Sequence, residues 1–168
     1  MGNSLSEGDK TDIIIKEKAK KLLLFSSQKL TELPDFKTID LTMVESIFLD
    51  NNELSNIDMD QNIIEKLKEK LKKVSLVQNK IKKIPDSVCE LSNLEDLSVD
   101  MNMLTSTPKN LSKLTYLKEL SLFLNRLNYI DVSGFQNLQQ LNLSSNQLTE
   151  LDVSQLKSLK NLNLSSNK

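Results

Sequence analysis

The chain has 168 residues, with 22 Lys and Arg against 23 Asp and Glu, for a formal net charge of −1. A balance this close to neutral argues against general nucleic-acid binding, which draws on a strongly basic field. With no His, one Cys (Cys89) and three Gly, the sequence excludes His-dependent triads, His-based metal sites, a disulfide framework and Gly-rich phosphate loops.

Residues 1–10 read as a small, polar leader. Met1-Gly2-Asn3-Ser4-Leu5-Ser6 fits M-G-x-x-x-[ST], the N-myristoylation pattern, with Gly2 as the acylated residue. One acyl chain binds a membrane only marginally. The following cations Lys10, Lys16, Lys18, Lys20 and Lys21 are mostly offset by Glu7, Asp9, Asp12 and Glu17, so the expected tether is weak and reversible. No apolar run is long enough to span a bilayer, and the start lacks the apolar core of a secretory signal. With no disulfide framework either, the expected location is cytoplasmic, at the inner face of a membrane if Gly2 is acylated. Residues 11–22, TDIIIKEKAKKL, predict a helix capped by Thr11 or Asp9, with Ile13, Ile14, Ala19 and Leu22 on one face. Its place is over the open end of the structure that follows.

From about residue 20 to residue 168 one spacing recurs, L-x-x-L-x-L-x-x-N-x-L-x-x-I. It is clearest in Leu117, Leu120, Leu122, Asn125, Leu127 and Ile130, and returns in Leu138, Leu141, Leu143, Asn146, Leu148 and Leu151. Residues two apart, such as Leu120 and Leu122, share one side of a short strand. One copy cannot bury so many aliphatic side chains alone, whereas stacked copies cover one another. Each Asn falls where the chain leaves the strand and bends inward. Its amide carries both donors and an acceptor, so it can pair backbone groups that have lost their ladder partners. A column of Asn52, Asn79, Asn102, Asn125, Asn146 and Asn167 is expected to run through the core as a structural ladder.

These residues resemble the leucine-rich-repeat family, in about seven copies of which the first is degenerate and the last is cut at Lys168. With the start at Gly2, the likeness is to its intracellular eukaryotic type. The resemblance implies an α/β fold: a right-handed solenoid with a curved parallel sheet on the concave side and short helices, 3₁₀ turns or irregular turns on the convex side. It also implies that the concave side binds other proteins; from the residue types, no cofactor or metal is expected.

The convex connections are predicted from their lengths. The 27-residue step between Asn52 and Asn79 holds DQNIIEKLKEKLK, whose Ile63, Ile64, Leu67 and Leu71 give a helical period. The 23-residue steps, with Pro85 and Pro108, predict Pro-started helical or 3₁₀ turns. The 21-residue steps leave room for little beyond extended chain. Cys89, beside Val88 and Leu91, is expected as a buried small apolar residue. The stop at Lys168 predicts an open strand edge around Leu159, Leu162 and Leu164, and a protein that continues.

Outward strand positions define the candidate partner face. They include Phe48, Asp50, Lys73, Val77, Asp96, Asp100, Glu119 and Phe123, and then the uncharged Gln140, Asn142, Ser144, Asn161, Asn163 and Ser165. Exposed Phe48, Val77 and Phe123 among carboxylates predict apolar anchors with a charged rim, for a protein partner whose surface is basic and partly apolar. An open sheet face gives Asp96, Asp100 and Glu119 no pocket for acid–base chemistry or Ca²⁺, so no catalytic residue is assigned. The leading expectation is a non-catalytic interaction scaffold in signalling. The alternative is the targeting arm of a larger signalling enzyme, such as a metal-dependent (type 2C) serine/threonine phosphatase. A bacterial surface repeat protein is a third reading, disfavoured by the missing signal peptide and by Gly2.

Overall fold

The computed structural model describes residues 21–168. Gly2, the leader and the helix expected over 11–22 lie outside the described residues, except at the end of that helix. There Leu22 opens a strand instead, because its neighbour Leu23 already fills the first strand's core position.

Seven three-residue strands form one parallel sheet in chain order: β1 (Leu22–Leu24), β2 (Ser46–Phe48), β3 (Lys73–Ser75), β4 (Asp96–Ser98), β5 (Glu119–Ser121), β6 (Gln140–Asn142) and β7 (Asn161–Asn163). The register carries no offset, so Leu23, Ile47, Val74, Leu97, Leu120, Leu141 and Leu162 stand in one row. The first six are buried, while Leu162 is 41% exposed on the last rung. Burial fixes the register: a slip of one residue would turn the aliphatic row out to solvent. Backbone pairing continues past each strand, as in Leu76 N to Ser98 O at 2.8 Å and Val99 N to Ser121 O at 2.9 Å.

Each rung then turns through one residue in the left-handed region. Asn51, Gln78, Met101, Leu124, Ser145 and Ser166 all have φ between 53° and 58°, and each directly precedes a ladder Asn. This bend brings the next aliphatic, Leu54, Ile81, Leu104, Leu127 or Leu148, back under the sheet.

Turn length sets the convex side. The longest turn carries helix α1 (Gln61–Leu67), which buries Ile63, Ile64 and Leu67; Leu71 is buried just beyond it. Asp60 caps α1, its side chain accepting from Asn62 N at 2.8 Å. The 23-residue turns carry 3₁₀ segments at Val88–Glu90 and Lys109–Lys113, the second beginning straight after Pro108. A third 3₁₀ segment, Phe36–Thr38, has no counterpart in the sequence expectations. It sets Phe36 edge-on to Phe25 with centroids 6.2 Å apart. The two 21-residue turns carry no helix among the described residues. Where the wide first turns meet, Phe36, Ile57, Met59 and Val88 help to line a void of about 20 Å³. No described helix is long and apolar enough to cross a membrane.

Candidate functional site

The six predicted Asn residues all occupy the ladder. Asn125 Nδ2 donates to Val99 O on the preceding rung at 2.9 Å and to Leu122 O on its own rung at 3.2 Å, while its Oδ1 accepts from Leu104 N at 2.9 Å. Asn79, Asn102 and Asn146 repeat this geometry. Asn52 reaches back to Phe25 O and receives Gln28 N and Leu30 N, so the degenerate first rung is still held. Asn167 bonds to Leu143 O and receives Leu148 N. Each amide thus joins two rungs through backbone groups with no ladder partner, and no buried side-chain polar atom among the described residues is left unpaired.

The outward face of the sheet is a shallow trough of about 700 Å³. Of the eight predicted partner residues, Phe48, Lys73, Asp96 and Glu119 line it, whereas Asp50, Val77, Asp100 and Phe123 do not. The second group lies just past the strand ends, where the carboxylates take a backbone role. Asp50 Oδ1 accepts from Val77 N at 2.8 Å and from Ser75 Oγ at 2.5 Å. Asp100 Oδ1 accepts from Phe123 N at 2.8 Å. Asp alternates with an apolar residue along this row, so each carboxylate satisfies the N–H of the next rung.

Two expectations about this face change. Phe48, Val77 and Phe123 are half-buried and not exposed, since each lies along its neighbouring rungs. The face is also less acidic than its composition suggests. Asp96 pairs with Lys73, whose ammonium also stands 6.0 Å from the Phe48 ring centroid. Glu119 Oε1 accepts from Gln140 Nε2 at 2.7 Å. The trough further includes Ser98, Ser121, Gln140, Asn142, Lys160, Asn161 and Asn163. The strand period marks the uncharged ones as outward, but composition gives no reason to rank them as binding residues. Asp96, Asp100 and Glu119 each face a different partner, and among the described residues no three acidic, Cys or His groups converge as metal ligands.

One flank of the sheet carries alternating charge at the residue before each strand: Lys21, Glu45, Lys72, Glu95, Lys118, Gln139 and Lys160. Lys21 Nζ meets Glu45 Oε1 at 2.7 Å, Lys118 Nζ meets Glu95 Oε2 at 2.6 Å, and Lys160 Nζ meets Gln139 Oε1 at 3.0 Å. The Lys21 hydrogen bond, with Lys72 and Lys70 nearby, holds the Glu45 carboxyl below its ordinary range. On the opposite flank Lys80 does the same for Glu53 at 2.8 Å. Cys89 is buried as expected, and burial, with Asp86 beside it, pushes its thiol up to about 12.

An in-register stack of parallel rungs, each closed by an internal Asn, is a solenoid with one continuous outward strand face. This is the architecture of the leucine-rich-repeat solenoid, a fold that generally mediates protein–protein interaction. The family model for the Leucine Rich Repeat matches residues 137–159. A leucine-rich-repeat protein of Leptospira interrogans is similar with a TM-score of 0.71 and 28% identity, over 89% of this chain and 44% of its own. An internalin of Listeria monocytogenes has a TM-score of 0.64 and 24% identity, over 84% of this chain and 47% of its own. The chain therefore spans under half the length of either solved relative. No curated protein matches it.

Proposed function

We propose that this chain is a non-catalytic docking module whose concave trough receives a protein partner. The observation that carries the reading is the trough itself, about 700 Å³ of open sheet face lined by hydroxyl, amide and charged side chains from six successive strands. Phe48 supplies an apolar contact at its N-terminal end. Glu119 offers a carboxylate near the middle, and Gln140, Asn142, Asn161 and Asn163 offer amides that can donate and accept. The partner best suited to this surface presents a cation toward Glu119, an apolar side chain toward Phe48, and backbone or polar groups toward the amide rows. Area and shape leave affinity to a few such anchors.

Site-directed photo-crosslinking in the source cells tests the reading. A photoreactive residue at Ser121, in the trough, should capture a discrete protein adduct, and one at Lys109, on the convex side, should not. Adducts from Lys109 alone, or equally from both positions, would remove the concave assignment.

A further inference from the structure

The edge where each rung leaves the sheet is polar on most rungs, with Asn51, Gln78, Ser145 and Ser166 in the left-handed position. On two adjacent rungs that position holds Met101 (φ 56°) and Leu124 (φ 53°). This conformation favours Gly, Asn and Asp, and it is costly for bulky side chains. Burial covers these side chains only in part, for Met101 is 39% exposed and Leu124 44% exposed. Met101 N donates to Phe123 O at 2.8 Å, so the two apolar side chains stand one rung apart on one edge. Half-buried Met103 continues the patch.

Two cations border it. Met103 N donates to Ile81 O at 2.9 Å, which brings Lys82 alongside, and Arg126 takes the place of Met103 on the next rung. Both are exposed, and among the described residues neither has an ion-pair partner. Lys80, on the same edge, is by contrast neutralised by Glu53. None of these patch residues lines the concave trough.

We propose that Met101, Met103 and Leu124, flanked by Lys82 and Arg126, form a second docking surface for a polypeptide segment that sets Asp or Glu beside an apolar side chain. The unopposed cations determine the partner's charge, and the strained apolar pair determines its anchor. An anionic membrane shares this chemistry, but electrostatic adhesion there takes a cluster of roughly 4–8 cations, against the two that border this patch.

Selection of a phage-displayed random peptide library on the full chain tests the proposal. Enriched peptides should be acidic and contain Leu, Met or Phe. The strongest of them, fluorescently labelled and titrated, should bind the Met101→Asn/Leu124→Asn variant at least about tenfold more weakly, as expected for a lost anchor. Asn suits the left-handed region, so this variant should melt no lower than the parent, and weaker binding then cannot be ascribed to unfolding. Arg126→Glu should also weaken binding, and Lys109→Glu on the convex side should not. Three results would each overturn the proposal: enrichment of basic or neutral peptides only, or no enrichment; titrations indifferent to the edge variants; and binding to phosphatidylserine vesicles that the double Asn variant loses while acidic peptides fail to bind.

Discussion

At the scale of single residues, stability rests on side chains whose partners belong to another rung. Asn125 engages backbone on both sides, through Val99 O, Leu122 O and Leu104 N. Asn125→Leu keeps the branched shape of the side chain but strips those buried groups of their partners, at a cost of about 1–3 kcal/mol. Urea titration of the variant against the parent should show that loss, and an unchanged midpoint would remove the ladder's energetic role. Cys89 makes a prediction in pH. Its thiol is pushed up to about 12 from an ordinary value of 9.0, chiefly by burial. Between those values the unfolded chain releases a proton that the folded chain keeps, so stability must fall as pH rises through that window. Thiol titration at pH 8 should be slow in native buffer and fast in urea. The alkaline loss of stability should be smaller in Cys89→Ala than in the parent. The Asn column was legible from sequence because its period repeats and because an amide offers both the donors and the acceptor that this bend needs. The left-handed residue before each Asn was not, since Met101 and Leu124 are the types that conformation disfavours.

At the scale of elements, the length of a convex turn decides what it can hold, and the turns then constrain one another across the stack. The 27-residue turn accommodates α1, the 23-residue turns 3₁₀ segments, and the 21-residue turns no helix. These outcomes followed from counting residues between Asn positions. Sheet-face detail did not follow, because an outward carboxylate in the sequence carries no sign of whether it meets water or backbone. The sequence pattern marks Asp50 and Asp100 as rim charges, yet they accept the backbone N–H of Val77 and Phe123. Gly134 shows how closely neighbouring turns approach. A Cβ there would fall onto the Ser112 Cβ and lie 3.0 Å from the Ser112 carbonyl oxygen, in the 3₁₀ segment of the preceding turn. Backbone is involved, so a rotamer change cannot make room. Gly134→Ala should therefore destabilise the chain by about 1–3 kcal/mol, as overpacking does. Gly134→Ala combined with Ser112→Gly removes the Cβ overlap but leaves the carbonyl contact, so it should recover part of the loss in a melting comparison. A double variant no more stable than the single would show that this contact is not the cause.

At the scale of the molecule, each rung touches little but its neighbours, so stability behaves as a sum over rungs and the interfaces between them. Such a stack can lose a whole period and still close, provided the new neighbours match. Charge along the flank discriminates between otherwise similar deletions. Lys73 and Asp96 are 23 residues apart, as are Glu95 and Lys118, so one period can be cut cleanly at either place. Deleting residues 73–95 sets Lys72 against Lys118 and removes Lys73, the partner of Asp96. Deleting residues 96–118 sets Glu95 against Gln139 and Lys73 against Glu119, so no like charges meet on the flank and the outward cation keeps a carboxylate. The two products have equal length and the same number of ladder rungs. The second should melt at the higher temperature in dilute buffer. Exposed charges are screened once the Debye length shrinks to about 3 Å near 1 M salt, so the gap should narrow there. A gap that persists unchanged in high salt would place the difference in the packing of the deleted turns, with the alternating flank left as surface decoration.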